Sequence, residues 1–436
     1  MLMPTRLIVS TIVVLMLAVV SSIQSAGAEA VDIEQQKREY LNSILYSREA
    51  VQDWLAGKVV WGEPYHPVLG WVHNERVIQH GVGNSYAHYH YDPDGARHVM
   101  AYGDRPCRIN TYGNSFTSCE QVNDGETWQE YLAVHLQEPI RNFGIGGYSV
   151  YQSYRRMLLE EPKTPAPYII FNIFSDDHYR NLTGWRNIRL GITPEVRKEV
   201  SSPPLPYVKV NPAKDEFIEC DNPCPTPESV YNLCDADWVY EAFKDNFQLK
   251  ITMAERNLRA NTPEYSYPEI QALAAEHGLK MEINSPESLK EAIDKLFLNA
   301  ALFASMRIVD KVEDYAAKNN KKVLYVLSYQ NSDFLDSVRT GKRFDQPFID
   351  FLNQKNLPYV DLMQAHLEDF AQYKISSEDY VKLYWIGHYA PRGNFFEAFA
   401  VKDKLVEMLD PKPLSYSPQG VVTFESPWEG GKKNRQ

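Results

Sequence analysis

The sequence predicts an α/β protein whose central parallel sheet of five strands carries helices on both faces. Two observations predict it. From residue 107, short apolar runs alternate with stretches of helical period, and strand–helix–strand alternation implies parallel strands covered on both sides. Within "SVYQSYRRMLLEE", Val150, Tyr154, Met157 and Leu158 fall on one helical face, as a helix lying on such a sheet requires.

The elements follow in order. Residues 1–30 read as an export signal. Arg6 precedes an apolar run from Leu7 to Val20, and the small residues "SSIQSAGAEA" allow cleavage after Ala28 or Ala30. The run is shorter than the roughly 20 residues of a comfortable membrane span. A secreted or periplasmic protein with no stable membrane anchor is expected. Residues 31–105 form an N-terminal extension. A helix over 31–57 ends at Gly57, and a β-rich stretch follows, with "DPDG" as a turn between two strands. The sheet domain, 106–412, starts with the strand "CRINTYG" and the helix "GETWQEYLAVHL". The strand "EPIRNFGI", the helix of the preceding paragraph and the strand "YIIFNIF" come next. The rhythm breaks over about 179–284, a Pro-rich, poorly periodic insertion. It resumes at a long helix capped by Ser285 with Pro286 in its first turn. "KKVLYVLSY" and "LPYVDL" are the fourth and fifth strands, flanking a helix. A last helix, about 392–409, stacks Phe395, Ala398, Val401, Leu405 and Met408 on one face. The tail 413–436 is irregular.

The formal net charge of −12 argues against a nucleic-acid partner, because phosphate binding needs a basic surface. Five cysteines are present. Cys220, Cys224 and Cys234 share a Pro-rich loop, and an exported protein is expected to pair two of them. Cys107 and Cys119 stand at opposite ends of the first strand, too far apart to join. His88 and His90, at i and i+2, could ligate a metal, but exposed hairpin histidines are commoner. No metal or cofactor is expected, and the oligomeric state is left open.

Open parallel sheets bind ligands at the carboxyl ends of their strands. Ser115 follows the first strand, "GIGGY" the second and "SDDH" the third, while "GHYAPRGN" precedes the last helix. A hydroxyl, exposed backbone amides, a polar side chain and a histidine thus meet at one edge, which is what acyl transfer needs. Ser115 could instead only cap the helix after it, and Gly144, Gly146 and Gly147 could form a plain tight turn. Asp361, ending the fifth strand, could orient His388 or cap a helix.

The segments "YGNSFTSCEQVNDGETWQEYL", "RNFGIGGYSVYQS", "FNIFSDDHYRN" and "GHYAPRGNFFEAFA" resemble, in order and role, the four blocks of the GDSL-type or SGNH serine hydrolases. The resemblance covers 107–180 and 320–409. It implies a flavodoxin-like three-layer fold without metal, Ser115 as nucleophile, His388 as base, and the Ser115 and Gly147 amides as oxyanion donors. Three departures stand out. Asn114 replaces the acid before the serine. Asp176 occupies the position of the third block's asparagine. Trp385 stands three residues before the histidine, where the family often has an aspartate. An ionised Asp176 could not donate to an oxyanion, whereas a buried, protonated one could. The acid and the amide are thus exchanged between Asn114 and Asp176, and these two side chains are expected to face one another.

These readings imply an exported serine esterase removing acyl groups from a carbohydrate or another small ester. The alternative is a non-hydrolytic carbohydrate-binding or acyl-transfer protein on the same fold, with Asp176 marking an altered site.

Overall fold

The structure, a computed structural model, describes residues 33–59 and 63–417. The expected signal segment, 1–30, and the tail from 418 lie outside the described residues. The described residues begin with two helices where one was expected, α1 (Ile33–Ser43) and α2 (Arg48–Leu55). Ser47 divides them, being extended and capping α2 through the Ala50 N–H. Four short strands follow as two antiparallel pairs: β1 (Tyr65–His66) with β2 (Gly70–Trp71), and β3 (Arg76–Gln79) with β4 (Tyr86–Tyr89). The "DPDG" turn closes with Gly95 N–H donating to Asp92 O, but joins only an isolated bridge, Tyr91 to Arg97. Arg97 bridges onward to Asn142, which ties the extension to the edge of the main sheet.

The central sheet contains β5 (Ile109–Tyr112), β6 (Arg141–Asn142), β7 (Tyr168–Phe174), and, below, β10 and β11. Between β5 and β6 run α3 (Ser115–Ser118) and α4 (Trp128–Leu136); α5 (Val150–Glu160) precedes β7. The short helices α6 (Asp177–Arg180) and α7 (Asn187–Leu190) open the insertion. The insertion then forms the hairpin of β8 (Tyr207–Asn211) and β9 (Glu216–Cys220). Three helices follow: α8 (Ala236–Phe243), α9 (Phe247–Arg259) and α10 (Tyr267–Glu276). It is therefore more helical than its weak periodicity suggested.

The long helix α11 (Pro286–Lys318) starts where expected, with the Ser285 and Ser288 side chains capping it reciprocally. Then come β10 (Lys322–Ser328), α12 (Asn331–Thr340), α13 (Gln346–Gln354), β11 (Tyr359–Asp361), α14 (Leu362–Phe370), α15 (Ser377–Tyr384) and α16 (Pro391–Met408). All five sheet strands are parallel, in the order β6-β5-β7-β10-β11. In strand sequence that is second, first, third, fourth, fifth, the doubly wound flavodoxin-like order. α4 packs with α16, and α5 with α11, so the protein is a three-layer α/β/α fold.

One hydrophobic core fills both faces of the sheet. A second joins the extension to the insertion, with Leu41 and Trp54 against Trp185, Phe243 and Leu249.

The last helix differs from its expected face. Ala398, Val401 and Leu405 are buried, but Phe395 is 48% exposed and meets Tyr131 edge-on. Asn394 and Glu397 turn inward instead, Glu397 accepting from Asn172 of β7. Hydrophobicity alone placed the stripe one residue out of phase. All five cysteines are free thiols, so the expected disulfide is not formed in this structure. Cys220 ends β9 opposite Tyr207, at the open end of the hairpin, whereas Cys224 is buried in the second core. Among the described residues no helix is long and apolar enough to cross a membrane.

Candidate active site

β5 delivers the chain to its carboxyl end, and Asn114 then caps the single-turn helix α3 through the Phe116 N–H, 2.8 Å away. That cap places Ser115 at the first helical position, where its own N–H has no partner within the helix. Ser115 is only 7% exposed, so a substrate reaches it through a confined approach. The "GHYAPRGN" segment brings His388 from the other end of the chain. Its Nε2 lies 2.8 Å from the Ser115 Oγ. Phe116 supports the imidazole, with its ring centre 5.1 Å away.

The group that orients His388 is Gln121, which the sequence reading missed. Gln121 Oε1 accepts from the His388 backbone N–H at 2.7 Å and lies 3.1 Å from Nδ1. Its Nε2 donates to the carbonyls of His80 and Ile386. Two carbonyl acceptors on that side fix which end of the amide faces the histidine. Nδ1 therefore carries the hydrogen, and the Nε2 lone pair faces the serine hydroxyl. Gln121 has left-handed backbone, φ 73°, and its N–H donates to the Tyr89 hydroxyl at 2.6 Å. Gly387 must be small here: at φ 121°, a Cβ would sit 2.7 Å from Gln121 Oε1.

The extension braces this loop. The buried Arg97 guanidinium donates to the carbonyls of Cys119 and Val122, at 2.7 and 2.6 Å, and to Ser118 O. Its Nε reaches Asp124 at 2.9 Å. One side chain thus satisfies carbonyls at the end of α3 and in the turn that follows it.

Gly147 follows β6 in a turn strapped to the nucleophile loop, with Ile145 N–H donating to Gly113 O. Its φ of 78° favours glycine, and a Cβ would stand 2.6 Å from an Arg186 nitrogen. The Gly146 N–H points to His73, but among the described residues none accepts from the Gly147 N–H.

The expected contact between Asn114 and Asp176 is not formed. Asn114 Nδ2 donates to Asp177, one residue on, at 2.8 Å. Asp177 also accepts from the Phe174 N–H at 3.1 Å and from Arg180 at 2.7 Å. Asp176 faces elsewhere, paired with Arg180 and Arg189, both at 2.8 Å. The reason is local. α6 begins at Asp177, and successive side chains leave a helix start about 100° apart. Burial pushes the Asp176 carboxyl up, but the two arginines outweigh it and hold it near 2. It is ionised, so the protonated donor considered above is not available. Burial pushes Asp177 up to about 7 against its three donors.

Asp361 does not orient His388. It caps α14 through the Met363 and Gln364 N–H groups and pairs with Arg343. Trp385 is buried against His366, ring centres 4.4 Å apart, and supplies no acid. The nearest carboxylate to the base is Glu120, 3.8 Å from His388 Nε2. Burial lowers the His388 pKa below its ordinary 6.5; Glu120 opposes this and Arg180 adds to it. His90 pairs with Asp124, and among the described residues no group of three or more His, Cys, Asp or Glu side chains could hold a metal.

The arrangement is chemically a hydroxyl poised on a neutral imidazole, with backbone N–H groups at the same edge. No protein-family profile matches the chain, and no curated protein matches its sequence. A solved structure from Desulfitobacterium hafniense DCB-2, described as a "putative lipolytic protein of G-D-S-L family", is similar at 10% identity, with a TM-score of 0.29. It covers 68% of this chain and 98% of its own. A likeness of that size carries no argument about activity.

Proposed function

We propose that this chain is a serine ester hydrolase working through an acyl-serine intermediate. The observation that carries the reading is the 2.8 Å contact from Ser115 Oγ to His388 Nε2, with the imidazole's other nitrogen held by Gln121. His388 takes the hydroxyl proton as Oγ bonds to the acyl carbon. The Ser115 and Gly147 N–H groups face the oxyanion that forms. His388 then protonates the departing alcohol, and water, deprotonated by the same imidazole, releases the acid. Asp176, ionised and paired with two arginines, supplies no third donor, so the reading relies on the two backbone N–H groups alone. The leader-like segment adds export to the proposal, with acylated carbohydrates or other small esters as substrates.

The test is a serine-directed fluorophosphonate probe together with a panel of short acyl esters and acetylated glycans. Labelling and turnover are expected in the natural protein and not in Ser115→Ala. Equal turnover in that variant would overturn the reading.

A further inference from the structure

A pocket of about 250 Å³ adjoins the site, walled in part by Gly147, Glu120, Glu63, Arg76 and Arg186. Its charges do not balance locally. Arg76 lies 3.7 Å from both Glu63 and Glu120; burial pushes the Glu63 carboxyl up to about 8 and so favours its neutral form, which leaves Arg76 compensated by Glu120. Arg186 is different. Among the described residues it makes no ion pair, and its sole hydrogen bond runs from Nη1 to Gly147 O at 3.1 Å. A guanidinium has five N–H groups, so most of this one is left to the pocket. Its cationic form is also poorly tolerated: burial, with Arg180 adding to it, pushes its pKa down to about 9. The neighbouring Arg180 and Arg189 are each paired with acids, which makes the unpaired Arg186 the exception.

A buried charge is held at a cost unless a partner compensates it. The planar fork of arginine matches a carboxylate in bidentate fashion. Because Arg186 touches Gly147, a group bound by it lies next to the proposed oxyanion donor. We propose that the pocket takes a carboxylate-bearing ester, with Arg186 binding the carboxylate beside the scissile bond. The inference rests on the ester-hydrolase reading for the identity of the reacting group, though not for the presence of an anion site. The carboxylate could belong to the alcohol part, as in an acetylated uronic acid. It could equally belong to the acyl part, as in a hemisuccinyl ester of a neutral sugar.

Binding to the full-length Ser115→Ala protein separates the two questions, since it needs no turnover. Four ligands would be compared by calorimetry: the methyl glycoside of acetylated galacturonic acid, its neutral acetylated galactose counterpart, a hemisuccinyl galactoside and its neutral butyryl counterpart. One carboxylate-bearing ligand is expected to bind about 10-fold or more tightly than its neutral match, with the source of the carboxylate given by which pair differs. Adding Arg186→Gln should bring that ratio to about one. If that protein does not fold, Arg186→Lys, which keeps the charge but not the fork, should reduce the ratio severalfold. Two results would overturn the proposal: neutral ligands binding as tightly as charged ones, or a preference that survives both substitutions. Wild-type protein that binds the charged ligand but hydrolyses nothing would overturn the esterase reading and leave the anion site standing.

Discussion

Gln121 Oε1 holds His388 twice, through the backbone N–H at 2.7 Å and at Nδ1 at 3.1 Å. A neutral amide thus occupies the orienting position that a carboxylate fills in a Ser-His-Asp triad. It fixes tautomer and ring angle, but brings no charge to stabilise the imidazolium.

Replacing Gln121 therefore affects both rate and pH response. Gln121→Ala should lower kcat/KM by about 10²-fold by releasing the imidazole. Gln121→Glu should restore orientation and raise the His388 pKa, since an adjacent negative charge favours imidazolium. Its acidic limb in a pH–rate profile would then move to higher pH. An unchanged limb would mean that Gln121 and His388 are not coupled.

The proposed activity of the wild-type protein has a pH dependence of definite sign. The base works only when deprotonated, and burial lowers its pKa below 6.5. Activity should therefore persist as pH falls below 6.5 and drop only as His388 takes up a proton. A kcat/KM profile whose acid limb lies above 6.5 contradicts this.

Ser115→Ala and His388→Ala should each reduce turnover by about 10⁴-fold or more, and the double variant should be little worse than either. Steady-state kinetics on one good ester substrate checks this. Multiplicative losses would indicate two independent roles.

Asn114 and Asp177 should be energetically coupled, because they share a buried hydrogen bond. In a cycle of Asn114→Asp, Asp177→Asn and the double exchange, the double should recover part of the stability lost by the singles, with coupling of about 0.5–3 kcal/mol. The same cycle on Asn114 and Asp176 should be additive within about 0.5 kcal/mol. Denaturant melts measure both.

What could be read from the chain alone was what depends on strand ends. The sheet and its five strands follow from apolar runs that stop at glycine or polar residues, whereas the meeting of Ser115 with His388 was what the resemblance of the four blocks implied. Gln121 could not be read that way. Its role is set by left-handed backbone and by carbonyls at His80 and Ile386, remote positions that no spacing connects. The choice between Asp176 and Asp177 turned on where a four-residue helix begins, and boundaries of that kind have no periodic signal. In α16 the expected apolar stripe left out Asn394 and Glu397, yet Glu397 is paired inside with Asn172. Partner identity decided burial there.

The bracing of the 118–122 loop by Arg97, Tyr89 and His80 bears on inheritance. A boundary drawn at residue 105 looks like a seam between an accessory piece and a catalytic one. Yet every anchor of Gln121 except Ile386 lies on the near side of it. Recombination that grafted 106–412 onto a different leader would carry the nucleophile and base intact but orphan the residue that aligns them. The extension and the sheet domain are therefore one unit as far as the alignment of His388 is concerned.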